Sequence, residues 1–87
     1  MYQVAFEPGI EKVLRRFGKS VQMRILTRLK WLAEHFAATK AEGLTGEFAG
    51  LLKFRVGDYR IIYRVDSKKK IITVVAVGHR RSIYGKS

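Results

Sequence analysis

From Leu52 to Val65 the chain alternates. Leu52, Phe54, Val56, Tyr59, Ile61 and Tyr63 place an apolar side chain on one face of two extended runs, at period two. Gly57-Asp58 separates the runs, and Gly followed by Asp suits a two-residue type II′ turn. That turn pairs Val56 with Tyr59, Arg55 with Arg60 and Phe54 with Ile61, so apolar faces apolar and the register is self-consistent. It also sets Arg55 directly opposite Arg60, with Lys53 two residues along on the same face. Like charges in that position destabilise a sheet by roughly a few tenths of a kcal/mol. A hairpin that carries them points to an anion.

The other elements follow from the same kind of pattern. Tyr2–Phe6 alternates as a first strand, and Pro8 suits the first turn of a helix whose face is Ile10, Val13, Leu14 and Phe17. Gly18 reads as the stop after that helix and Ser20 as the N-cap of a longer one. Val21, Ile25, Leu29, Leu32, Ala33 and Phe36 line one face of the longer helix; Met23 and Trp31 read as helix packing, and His35 carries no role. Residues 37–50 hold three glycines and no periodicity, which predicts a loop anchored by Leu44 and Phe48. Asp66–Lys70 is a polar turn. If all five of its residues lie in the turn, Arg60 faces Ala76, although a register one residue away is equally allowed. Ile71–Val77 is apolar on both faces, as a central strand is. The order is β-α-α-β-β-β: an α+β fold in which a two-helix hairpin packs on a mostly antiparallel twisted sheet. No repeat or linker divides residues 1–87, so one domain is expected.

Charge sharpens this picture. The 87 residues hold 18 Lys+Arg against 7 Asp+Glu, a net charge of +11. Residues 1–50 contribute eight basic and five acidic residues, whereas 51–87 contribute ten and two. The surplus sits in the hairpin half and implies a polyanionic partner. With a hydrophobic fraction of 47% the chain is a folded domain, not a basic tail. The absence of cysteine removes disulfides, thiolate metal sites and a cysteine nucleophile. No signal peptide or membrane-length apolar run is present, so a soluble, cytoplasmic protein is expected.

The candidate chemistry lies in two clusters. The first is Lys53, Arg55 and Arg60. A solvated outer sheet face is the commonest fate of such residues, but charges of one sign lying opposite one another favour an anion site. Arginine offers a planar, bidentate fork to phosphate and lysine a point charge able to act as a base. The second is His79, Arg80, Arg81 and Tyr84 after the last strand; its bland reading is a frayed basic tail with Tyr84 packed on the core. Lys68–Lys70 reads as a solvated turn. No glycine-rich phosphate loop and no metal-ligand spacing occurs, so neither metal nor cofactor is expected. Metal-free RNA cleavage needs a base for the 2′-hydroxyl, positive charge for the phosphorane and an acid for the 5′-oxygen. Lysine, arginines and a tyrosine could supply them, with His79 in reserve.

The run Leu51-Leu52-Lys53-Phe54-Arg55-Val56-Gly57-Asp58-Tyr59-Arg60-Ile61-Ile62-Tyr63, with Val77-Gly78-His79-Arg80 and Tyr84, resembles the RelE branch of the RelE/ParE toxin superfamily. The resemblance spans nearly the whole chain. It implies a RelE-like, microbial-ribonuclease-like fold and a toxin that cleaves mRNA in the ribosomal A site, with a RelB-like antitoxin, the ribosome and mRNA as partners. Carried over by position, it implies Lys53 as general base, Arg60 as phosphate stabiliser, Arg80 as leaving-group acid and Tyr84 as the stacking tyrosine. Arg55, His79 and Arg81 become further phosphate contacts. Some members carry a second lysine where this chain has Leu51. The ParE-like branch shares the fold but poisons DNA gyrase, and a weakened member would only bind RNA and antitoxin; Lys53, Arg60, Arg80 and Tyr84 together favour the RelE branch.

Overall fold

A computed structural model describes residues 1–38, 42–43, 50–81 and 83. Strand β1 (Gln3–Phe6) leads into helices α1 (Ile10–Arg15) and α2 (Lys19–His35), then a short 3₁₀ turn, Phe36–Ala38. The strands β2 (Glu42–Gly43), β3 (Leu52–Val56), β4 (Tyr59–Asp66) and β5 (Ile71–His79) follow. Among the described residues they form one sheet in the order β1-β5-β4-β3-β2, antiparallel except where β1 runs parallel to β5. The expected α+β layer is observed. The two-residue β2, on the outer edge of β3, lies within the stretch expected to be loop; Leu44 and Phe48 fall outside the described residues.

The helices cover one sheet face. Ile25, Leu29, Leu32 and Ala33 of α2 recur one helical turn apart and are all buried. They meet the apolar face of the hairpin and central strand: Val56, Ile61, Val74 and Val77 in one cluster, Tyr63 and Ile72 in the other. α1 adds Ile10 and Leu14. Two boundaries differ from expectation. Pro8 precedes α1, which starts at Ile10 after a left-handed Gly9 (φ 91°). Gly18, in extended conformation, is the N-cap of α2, so Ser20 lies inside the helix. The Gln22 N–H bonds the Gly18 carbonyl at 3.0 Å, and the Gln22 side chain donates to the Phe17 carbonyl at 2.8 Å. These bonds start the helix before the serine can cap it.

The register of β4 on β5 carries the larger correction. Asp66 pairs with Ile71, so the turn holds four residues; the Asp66 carboxylate tightens it by accepting the N–H groups of Lys68 and Lys69. Farther along, Tyr63 faces Val74 but Ile62 faces Ala76, leaving Val75 as a bulge. Each irregularity moves the pairing by one residue. Arg60 therefore faces Gly78, not Ala76. The bulge also accounts for burial on β5, where the core positions are Ile72 and Val74 but then Val77.

Tyr63 is 1% exposed, and burial pushes its hydroxyl above the ordinary value of 10.0. The folded state thus holds the neutral phenol while the unfolded chain ionises. Its contribution to stability is complete below about pH 10 and is lost as pH rises through the folded value. In denaturant titrations Tyr63→Phe is expected to fall less steeply than the parent above about pH 10, a difference of up to ~1.4 kcal/mol per pH unit. Identical slopes would show that Tyr63 has no part in the alkaline limb.

Candidate functional site

The β3–β4 hairpin forms as its sequence predicts. Arg55 pairs with Arg60, Val56 with Tyr59 and Phe54 with Ile61. Gly57 takes φ 59° while Asp58 has no positive φ, the arrangement of a type II′ turn. Because Phe54, Ile61 and Tyr63 point to the helices, Lys53, Arg55 and Arg60 point away from them. Ile62 shares that outer face, opposite Lys53, yet is fully buried. Lys53 and Arg60 are half-buried beside it, and Arg55 is exposed. The face is thus a row of cations around an apolar floor, not a freely solvated surface.

β5 completes the row. Gly78, opposite Arg60, offers no side chain of its own, and Ile83 lies against that position. The Arg60 guanidinium folds toward the turn, and Nη1 donates to the carbonyls of Gly57 and Tyr59 at 3.3 Å each. Arg80 arrives from β5 at the same turn. Its N–H bonds the Asp58 carbonyl at 2.8 Å, and its Nε lies 4.0 Å from Asp58 Oδ1. Both partners of that ion pair are exposed, so it contributes little to stability and leaves the guanidinium available. Arg60 of β4 and Arg80, directly after β5, therefore meet at the Gly57–Asp58 turn, with Arg55 of β3 paired to Arg60. Planar forks clustered at one turn suit a phosphate or a pentavalent phosphorane better than a single carboxylate.

His79 is not part of this row. It pairs with Tyr59, meets that ring edge-on at 5.6 Å, and Tyr59 in turn packs on Phe17 at 5.1 Å. That is the helix side of the sheet, the opposite face from Arg60. The Arg81 N–H donates to His79 Nδ1 at 3.2 Å, which leaves the proton of the neutral ring on Nε2. Arg81 itself is exposed in the turn beyond β5. Tyr84 lies outside the described residues.

Three residues at the site were not singled out from sequence. The Ile83 N–H bonds the His79 carbonyl at 3.0 Å, reversing the chain directly after β5. Ile83 then sits where a Gly78 side chain would be: a Cβ added there would lie 3.2 Å from Ile83 Cβ. Gly78 so becomes the seat of the returning segment. Arg24 of α2 reaches the hairpin turn from the helix side, its Nη1 3.4 Å from a Cβ built on Gly57. Only the helical spacing of Arg24 relative to the core positions could have hinted at this. No described helix is long and apolar enough to cross a membrane.

Residues 4–84 match the family model for the ParE toxin of the parDE type II toxin–antitoxin system. The chain is 39% identical over 41 residues to toxin RelG of Mycobacterium tuberculosis, a match covering 47% of each protein, so it spans about half the length of that relative. Among solved structures it resembles a chain of the toxin–antitoxin complex RelBE2 of M. tuberculosis, with a TM-score of 0.79 at 24% identity, over 91% of this chain and 98% of that one. It also resembles the archaeal RelE–RelB complex of Pyrococcus horikoshii, with a TM-score of 0.71 at 28% identity, over 93% and 97% of the respective chains. Isolated RelE of Escherichia coli gives 0.74 at 25% identity, over 91% and 84%.

Proposed function

The chain belongs to the ParE toxin family of type II toxin–antitoxin systems and is a RelE-like toxin of that superfamily; from this premise we propose that it is a ribosome-dependent mRNA endonuclease acting in the ribosomal A site. The observation that carries the reading is the meeting of Arg60 and Arg80 at one turn, with Arg55 paired to Arg60 and Lys53 on the same face. In the proposed reaction Lys53 takes the proton from a 2′-hydroxyl, and that oxygen attacks the adjacent phosphorus. Arg60, assisted by Arg55, balances the charge that grows on the phosphorane oxygens. The P–O5′ bond breaks, leaving a 2′,3′-cyclic phosphate and a 5′-hydroxyl, whose proton comes by way of Arg80. Tyr84 would stack on the substrate and orient it. A guanidinium releases a proton poorly, so the isolated chain is expected to be slow, with the ribosome orienting the mRNA and completing the site.

A cytoplasmic site of action follows from those substrates, and a RelB-like antitoxin from the toxin–antitoxin complexes that the fold resembles. An apolar groove of about 450 Å³ between β1 and α2, lined by Tyr2, Val4, Leu26 and Leu29 among others, suits an amphipathic antitoxin segment. The match to the ParE model favours gyrase inhibition as a second reading.

One experiment separates them. The protein is added to a translation extract and mRNA ends are mapped by primer extension. New ends inside A-site codons are expected, with a 5′-hydroxyl on the downstream fragment. Arrest without such ends, or altered supercoiling while translation continues, would overturn the reading.

A further inference from the structure

Helix α2 presents three faces, of which the core and the β1 groove account for two. The third carries Arg24, Arg28, Trp31 and His35, spaced i, i+4, i+7 and i+11, so all four lie within one sector of the helix. This sector borders β3. The Arg28 guanidinium lies 4.9 Å from the Trp31 ring centroid and 5.3 Å from that of Phe54, whose rings are nearly parallel. On the helix, His35 stacks on Trp31 at 4.7 Å. Trp31 remains 39% exposed. An arginine whose guanidinium lies against two rings loses rotamer freedom while keeping its charge, so it meets a phosphate partly preorganised. One turn before it, Arg24 reaches the Gly57 turn where Arg60 and Arg80 converge from the other side. Among the described residues no ion pair engages Arg24 or Arg28.

We propose that this α2 stripe is a second RNA-backbone contact, continuous with the Arg55–Arg60–Arg80 row around the hairpin turn, which holds the RNA flanking the scissile phosphate. It runs about 16 Å along the helix at 1.5 Å per residue, a length that accommodates two or three consecutive phosphates. RNA is favoured over an acidic protein segment because the stripe joins the proposed cleavage row, and because cations interleaved with stacked rings suit a phosphate–base strand. The proposal rests on the RNA reading above only for the identity of the ligand.

The test uses the full chain and fluorescent, uncleavable 2′-O-methyl RNA, as a single-stranded 12-mer and as a hairpin, with a poly-glutamate peptide in parallel. Anisotropy is measured across a KCl series. For Arg24→Gln/Arg28→Gln, RNA affinity is expected to fall about tenfold near 0.1 M salt. The slope of log Kd against log salt should drop by about 1.4 on the single strand, two contacts at ~0.7 each. Arg28→Lys should keep the slope and lose about threefold in affinity, since it keeps the charge without the planar fork. Loss on the single-stranded 12-mer supports the stripe as a contact to the cleaved strand, and loss confined to the hairpin overturns it. A parent-like slope on both RNAs, or a loss confined to poly-glutamate, overturns the proposal. If the double variant melts early, exposed Arg24→Gln alone must still shift the slope by about 0.7. Because the RNA cannot be cut, a cleavage reading that fails in the translation extract leaves this result standing, and the reverse holds equally.

Discussion

Arg60→Ala is expected to lower mRNA cleavage in a translation extract by about 10²- to 10³-fold, the cost of deleting one preorganised charge at a reacting centre. Arg60 pairs with Arg55 on one side and with Gly78 on the other, where Ile83 lies against the position a side chain would take. No other described side chain can take its place from β5, because the residue opposite has none. Its bonds to the carbonyls of Gly57 and Tyr59 are long, at 3.3 Å, and the residue is half-exposed. Their loss should therefore cost little stability. Removing one of two directly opposed arginines also relieves a cross-strand repulsion. The variant is thus expected to be folded, at least as resistant to denaturant as the parent, and inactive. Arg60→Lys should recover only part of the activity, since a point charge replaces a bidentate fork. Cleavage within about threefold of the parent would remove Arg60 from the reaction and move the weight of the site to Lys53 and Arg80.

Gly78→Val is expected to reduce cleavage at least tenfold through a different route. A Cβ at position 78 would lie 3.2 Å from Ile83 Cβ and 3.6 Å from Ile83 Cα. A methyl group alone requires the segment to give by a few tenths of an ångström; the branched side chain of valine requires it to leave. The same side chain would enter the space beside Arg60. Backbone strain is not the cause, because the φ of Gly78 lies in the range open to any residue. The hairpin and central strand should survive, since valine suits a strand. The telling measurement is the pair Gly78→Ala and Gly78→Ala/Ile83→Gly, the second change removing the Cβ that the added methyl group meets. If the returning segment positions the chemistry, the second change restores activity lost by the first. Failure of that rescue would separate Ile83 from the function of the site.

The hairpin was readable because two signals agreed within a few residues. Alternation set which side chains share a face, and Gly57-Asp58 set the turn, so the Arg55–Arg60 pair followed without long-range information. Nothing comparable pins β5. Its residues are apolar on both faces, so a bulge at Val75 and a four-residue turn are as acceptable to the sequence as a regular ladder. Those two irregularities replaced Ala76 with Gly78 beside Arg60. They also decided which face each later residue takes, so His79 lies with Tyr59 on the helix side, away from the cations it adjoins in sequence.

The α2 stripe shows the same division of labour. Helical spacing already placed Arg24, Arg28, Trp31 and His35 in one sector, but a sector of a helix is only a solvated face until something lies beside it. Strand β3 brought its Phe54 ring against Arg28, and the Gly57 turn brought Arg24 into the neighbourhood of Arg60. By itself, then, the sequence determined the two helices, the hairpin with its core face, the opposed arginines and the positive surplus, because each depends on period or on adjacent residues. Tertiary structure alone decided which cations meet: Arg80 and Arg24 reach the hairpin turn through strand register and helix placement, and contacts across such distances in the chain leave no local periodicity to read.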